Sequence, residues 1–231
     1  MKTIGLLGGM SWESTVHYYQ IINREVKKRL GGTHSGKILV NSVDFFEIDQ
    51  LQHQNKWDDL TKIMIDETKK LVRAGADCIV ICTNTMHKMA DDIIENISIP
   101  LIHIADATAE AIEQVNYHDI ALLGTKFTME QDFYKGRLEN LYDLKVVVPN
   151  EEDRDEVHDI IYDELVLGII NETSKSKYIE IINKMASDVE GVILGCTEIG
   201  MLVKPGDVSL PLFDTTEIHA LAAVDFALAD D

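Results

Sequence analysis

Cys82, Thr83, Asn84 and Thr85 follow the apolar run Ile79–Ile81 without a break. Cys196, Thr197 and Glu198 follow Val192–Leu194 after a single glycine, Gly195. These residue types move protons and hold carboxylates. A thiol starts at a pKa of about 8.5, and a helix N-terminus can lower it. Hydroxyls and the asparagine amide supply donors. An apolar run that turns abruptly polar reads as a buried strand delivering side chains to the end of a sheet.

The elements that would position them alternate along the chain. Candidate strands are "TIGLLG", "KILVNS", "CIVICT", "LIHIA", "IALLG", "KVVVP", "GVILGC" and "LPLFD". Between them lie amphipathic stretches such as "ESTVHYYQIINREVKKRLGG", closed by Gly31 and Gly32 as a helix C-terminus is. "KWDDLTKIMIDETKKLVRAGA" is another, with Gly75 near its end. Such alternation implies parallel sheets covered by helices on both faces.

The two halves also repeat each other. "IGLLGG" from Ile4 matches "IALLGT" from Ile120, "IVICTNT" from Ile79 matches "VILGCTE" from Val192, and "IPLIHIADAT" from Ile99 matches "LPLFDTTEIH" from Leu210. The second match sets Thr83 opposite Cys196. Three matches in one order predict two pseudo-symmetric parallel-sheet α/β domains from a duplication. We place the first at residues 1–98 plus 209–231 and the second at 99–208. Ligands of open parallel sheets bind beyond the C-terminal strand ends, so the expected active site is a cleft between the domains, with Thr83 and Cys196 on opposite sides. His103 and Asp214 fall at paired positions and are expected to be structural or to support the site.

Composition narrows the function classes. The chain has 231 residues, 45% hydrophobic and 26% charged, enough for two cores. A net charge of −19 argues against nucleic-acid and anionic-membrane partners. It also requires that any anionic substrate be held by local donors. Cys78, Cys82 and Cys196 form neither a disulfide framework nor a zinc pattern. The opening "MKTIGLLGGMSW" is too short in apolar length for a signal peptide, and no window is long enough to span a membrane, so a reducing cytoplasm is expected.

Several cofactor motifs fail in detail. "GGTHSGKI" imitates a phosphate loop, but Ile38 stands where Ser or Thr should bind magnesium, and the stretch precedes a strand. "GLLGGMSW" follows a strand and opens a helix without dinucleotide glycine spacing. It instead brings Gly8, Gly9, Met10 and Ser11 to a helix N-terminus, which suits a carboxylate. The eight histidines show no metal-binding pattern, and Lys126 after "ALLGT" reads as a solvated lysine rather than a Schiff base. A site with no cofactor and no metal is expected.

At these residues the sequence resembles the cofactor-independent aspartate/glutamate racemase family, over essentially the whole chain. The resemblance rests on "GLLGGMSWEST", "CTNTMHK" at 82–88, "ALLGT" at 121–125 and "GCTEI" at 195–199. It implies one proton carrier from each half flanking the substrate Cα, no cofactor, and a homodimer. Asn84, Thr85, Thr125 and Thr197 would then supply donors to the charged planar intermediate, with Met10 and Ser11 at the carboxylate.

Two departures qualify the match. The family has cysteine directly before Asn-Thr, where this chain has Thr83. Cys82, one residue earlier, points to the opposite face of a strand, so it and Cys78 are expected in the core. Members often carry a lysine where Val166 stands. Gln52, chosen over Gln50 and His53, is the expected substitute in holding the substrate side chain. Glu198 would orient the Cys196 thiol or bind the substrate ammonium, or else serve as a helix N-terminal carboxylate. The expected function is racemisation of acidic amino acids, with aspartate the first candidate substrate and glutamate the second, by an asymmetric Thr83/Cys196 pair. A one-thiol lyase or isomerase of the same superfamily and a non-catalytic carboxylate-binding protein are the alternatives.

Overall fold

The computed structural model describes residues 1–229. The chain divides into two compact units, Met1–His103 with the chain from His219 onward, and Ile104–Ile218.

The first unit holds β1 (Ile4–Gly8), α1 (Trp12–Leu30), β2 (Ile38–Ser42), α2 (Phe45–His53), α3 (Trp57–Arg73), β3 (Cys78–Ile81), a 3-10 turn at Thr85–Met89 and α4 (Ala90–Glu95). Its strands are parallel, in the order β2-β1-β3. β1 and β3 are buried throughout, which explains their unbroken apolar runs. Ile4, Leu6, Cys78, Val80 and Cys82 share one core with Tyr18, Ile22 and Val26 of α1. Leu7, Ile79 and Ile81 share the other with Leu60, Met64 and Leu71 of α3. The period-two alternation of a strand produces this split.

The α1 boundaries follow capping chemistry. The Ser11 side chain accepts from the Ser14 N–H, Glu13 lies in the first turn, and Lys27, Lys28 and Arg29 lie in the last. Gly31, at φ 75°, ends the helix and donates to the Lys27 carbonyl.

The second unit holds α5 (Ile104–Glu113), β4 (Asp119–Gly124), α6 (Lys126–Glu130), α7 (Lys135–Tyr142), β5 (Lys145–Val147), α8 (Glu151–Asp163), a 3-10 turn at Leu165–Leu167 and α9 (Glu172–Met185). It continues through β6 (Gly191–Gly195), α10 (Ile199–Leu202), β7 (Leu212–Asp214) and the start of α11 (Thr215–Leu228). The strands are parallel, in the order β5-β4-β6-β7.

The two sheets repeat in register. Ile4 pairs with Cys78 as Ile120 pairs with Gly191, and Leu7 pairs with Ile81 as Leu123 pairs with Leu194. Ile79 bridges Leu101 as Val192 pairs with Leu212. The pseudo-symmetry read from the sequence is therefore present in the hydrogen bonding.

Two local features differ from the sequence expectation. "LIHIA" contributes one bridging residue, Leu101, because α5 begins at Ile104 and takes its end. The crossings between units fall after His103 and after Ile218 instead of after 98 and 208. Leu101 pairs with the first sheet and β7 with the second, so each connecting segment stays with the sheet it extends.

Candidate active site

In the first unit the polar run emerges where β3 ends. The Cys82 N–H still bonds the Leu7 carbonyl, but the Thr83 N–H turns back to Ile81 O at 2.9 Å, so the chain leaves the ladder at Thr83. Thr83 retains 9% exposure beside buried Asn84 and Thr85, and its hydroxyl has no hydrogen-bond partner among the described residues. Cys82 points the other way, into the core beneath α1, and burial pushes its thiol far above the ordinary range. Cys78 is likewise in the core, its thiol raised by burial to about 12.

One backbone donor of the glycine-rich loop is taken up within the fold. The Gly9 N–H donates to Thr15 Oγ1 at 2.9 Å, so it is committed within the fold. Gly9 has φ 91°, and a Cβ there would overlap the Val43 carbonyl, so only glycine suits the position. Ser11 is buried and caps α1, with Met10 buried beside it. Gln52 on α2 is 3% exposed, and its Oε1 finds no partner among the described residues. That unsatisfied acceptor distinguishes it from His53, whose ring lies 3.1 Å from the Asp49 carboxylate in an exposed pair.

In the second unit the Cys196 thiol donates to Glu198 Oε2 at 3.0 Å, and Thr197 Oγ1 donates to the same oxygen at 2.8 Å. Thr216 Oγ1 donates to the Thr197 carbonyl at 3.1 Å and fixes the loop from α11. Glu198 stands at the N-terminus of α10, yet its side chain makes no capping bond there. The carboxylate is turned to the thiol instead. Burial pushes the Cys196 pKa well up, and the Glu198 charge and hydrogen bond push it further; the N–H groups of Glu198 and Thr197 work the other way. Thr125 is buried and caps α6, with Thr128 Oγ1 at 3.2 Å from its hydroxyl. Lys126 pairs with Asp155 at 2.7 Å, and Val166 packs at the edge of the second core.

The Glu198 geometry predicts a measurable reactivity. Glu198→Gln removes the charge that holds the proton on sulfur, so the Cys196 pKa should fall and more thiolate should exist at pH 7–8. Iodoacetamide alkylation should accelerate several-fold, and its pH profile should move to lower pH. Cys78 and Cys82 should stay silent in native protein. An unchanged or slower reaction would show that Glu198 does not tune the thiol.

Three histidines also meet behind the Thr83 turn, which their sequence spacing did not reveal. The His87 and His103 ring centroids are 4.6 Å apart, and those of His87 and His219 are 5.6 Å apart. Carbonyls only accept, so His87 Nδ1 donates to Thr83 O at 2.8 Å and His219 Nε2 donates to Ile102 O at 2.7 Å. The Tyr18 hydroxyl donates to His219 Nδ1 at 2.9 Å. These bonds engage His87 Nδ1 and both ring nitrogens of His219. The one available signal was the position of His87 four residues after Thr83, one helical turn on.

Burial pushes the His219 imidazole down to about 4, opposed by its bond to Ile102. An unfolded chain takes up that proton near 6.5, whereas the folded one does so near 4. The contribution to stability is therefore complete above pH 6.5 and is lost as pH falls between those values, by roughly 3 kcal/mol. Imidazole nitrogen resonances of His219 should keep the neutral pattern to below pH 5. A midpoint near 6.5 would show a solvated ring and contradict the packing.

The model of the Asp/Glu/hydantoin racemase family matches residues 7–223. This chain belongs to that family. A Yersinia pestis crystal structure with a provisional Asp/Glu racemase name is 53% identical, covers 99% of this chain and 100% of its own, and superposes with a TM-score of 0.91. An aspartate racemase homologue from Pyrococcus horikoshii is 37% identical over 99% of this chain and 100% of its own, with a TM-score of 0.85. The broad specificity amino-acid racemase RacX of Bacillus subtilis is 21% identical over 98% of both chains. The matched span contains both the Thr83 and the Cys196 strand ends.

Proposed function

We propose that this protein racemises acidic amino acids without a cofactor, with aspartate the leading candidate substrate and glutamate the second. Thr83 and Cys196 exchange protons with opposite faces of Cα. One observation carries the reading. Thr83 and Cys196 stand at the same register position of two repeated sheets, each just past a buried strand and each 9% exposed.

The chemistry follows from these groups. Cys196 rests as a thiol, ready to deliver a proton to a carbanion. A substrate ammonium arriving near Glu198 would neutralise the charge that raises the thiol, making thiolate easier to form for the opposite transfer. Asn84, Thr85, Thr125 and Thr197 would donate to the carboxylate on which charge develops, and would hold an anion within a chain of net charge −19. Met10 and Ser11 would border that carboxylate, and Gln52 would take the substrate side chain. Free cysteines suit the expected cytoplasmic setting, no described helix is long and apolar enough to cross a membrane, and a homodimer is the expected assembly.

The test is proton NMR of each enantiomer of aspartate and glutamate in D2O, with circular dichroism in parallel. Loss of the Cα–H signal with decay of optical activity is the expected result, and the faster substrate names the preference. Exchange with full retention would leave one working base and remove Thr83 from the reaction. Binding without any exchange would overturn racemisation in favour of a carboxylate binder or a one-thiol lyase.

A further inference from the structure

We propose that His87 is a positioning residue that aims the Thr83 hydroxyl, an inference that rests on the racemase reading above. Thr83 has left the strand ladder, since its own N–H turns back to Ile81. Its carbonyl is held by His87 Nδ1–H at 2.8 Å. His87 is 2% exposed, and its ring is wedged edge-on against His103 and His219. His219 is fixed in turn by the Tyr18 hydroxyl and the Ile102 carbonyl. Four side chains from distant parts of the chain thus converge behind one peptide group.

The second unit shows that the fold itself does not require this cradle. At the same register the Cys196 carbonyl accepts a backbone bond, from the Ile199 N–H at 3.1 Å. Gly200 stands where His87 does, and Asp214 stands where His103 does. A Cβ on Gly200 would overlap the Asp214 carboxylate, which accepts from the Thr216 N–H instead. The histidine support belongs to the half whose proton carrier is a hydroxyl. That is where it is needed, because a weak acid transfers a proton only through a well-aligned hydrogen bond. A misplacement of about 1 Å can cost about 10²-fold in rate.

The experiment compares wild type, His87→Leu and His87→Asn in D2O, reading inversion and exchange with retention separately for each enantiomer of the better substrate. The asparagine amide nitrogen can take the place of Nδ1 and still donate to Thr83; leucine fills volume without a donor. In His87→Leu, inversion should fall by about 10²-fold. The enantiomer deprotonated by Cys196 should still exchange with retention, so the retention-to-inversion ratio should rise by a similar factor. His87→Asn should restore the ratio to within about ten-fold of wild type. This ratio does not depend on how much of a variant is folded.

Two results overturn the proposal. In one, both processes fall in proportion in His87→Leu, which marks a structural role. In the other, His87→Asn is as impaired as His87→Leu, which makes the ring itself the requirement. If wild type neither exchanges nor inverts, the racemase reading fails first, a result visible before any variant is compared.

Discussion

Cys196→Ala is expected to lower racemisation of the best acidic amino acid by at least about 10³-fold, within the range contributed by a positioned general acid or base. The loss should fall mainly on kcat, because the proposed role of the thiol is at the reacting proton rather than at the carboxylate. Exchange at the face served by Cys196 should disappear with it. Thermal stability should move little: Cys196 sits at the end of β6, and Glu198 keeps its bond from Thr197. Cys196→Ser is the sharper control. It returns a donor to Glu198 but replaces the thiol by a group that stays protonated, and it should be nearly as inactive. Stopped-assay circular dichroism on both variants would check this. Cys196→Ala with activity within ten-fold of wild type would remove the residue from the chemistry.

Thr83→Val keeps the shape and removes the hydroxyl. Inversion should drop by about 10²–10³-fold, while exchange with retention persists for the enantiomer that presents its proton to Cys196. That dissociation distinguishes a lost proton carrier from a damaged site. Thr83→Cys is the complementary change and makes the pair symmetric. Racemisation has an equilibrium constant of one, so kcat/KM is equal in both directions for every variant. In wild type the proposed asymmetry should therefore show as matched differences in kcat and KM, with the higher kcat in the direction that would use Cys196 as base. Thr83→Cys should draw the two kcat values together. A Thr83→Val enzyme that inverts both enantiomers at wild-type rate would end the two-base reading.

Most of the architecture was legible because it is encoded locally. Seven of the eight apolar runs read as strands are β1–β7. Gly31 and Gly75 stand at positive φ beyond their helices, as helix-ending glycines do. The core placement of Cys82 was also readable, since it needs only the period-two alternation of β3, and Cys82 does lie in the core with Cys78 and Val80. The internal repeat could be aligned from residue types alone, and the sheet registers repeat it pair for pair.

Other features had no local signature. Gly9 was read as a backbone donor for a carboxylate, but its N–H bonds Thr15 Oγ1 within the fold. Glu198 was read as a thiol partner, an ammonium binder or a helix N-terminal carboxylate, and only its fold-wide setting shows that it makes no cap bond and accepts from the Cys196 thiol. The His87, His103 and His219 cluster joins three separate segments, so no spacing announced it.

The sequence by itself determined the strands and helices, the internal repeat, the faces of β3, and which residues stand at the two strand ends. These depend on periodicity, capping and residue identity, all of which act over a few neighbours. Only the tertiary structure decided which sheet Leu101 and β7 extend, where the Cys196 proton points, and what stands behind Thr83. Those outcomes depend on hydrogen bonds and ring contacts between segments far apart in the chain, and such partners are fixed only when the chain has folded around them.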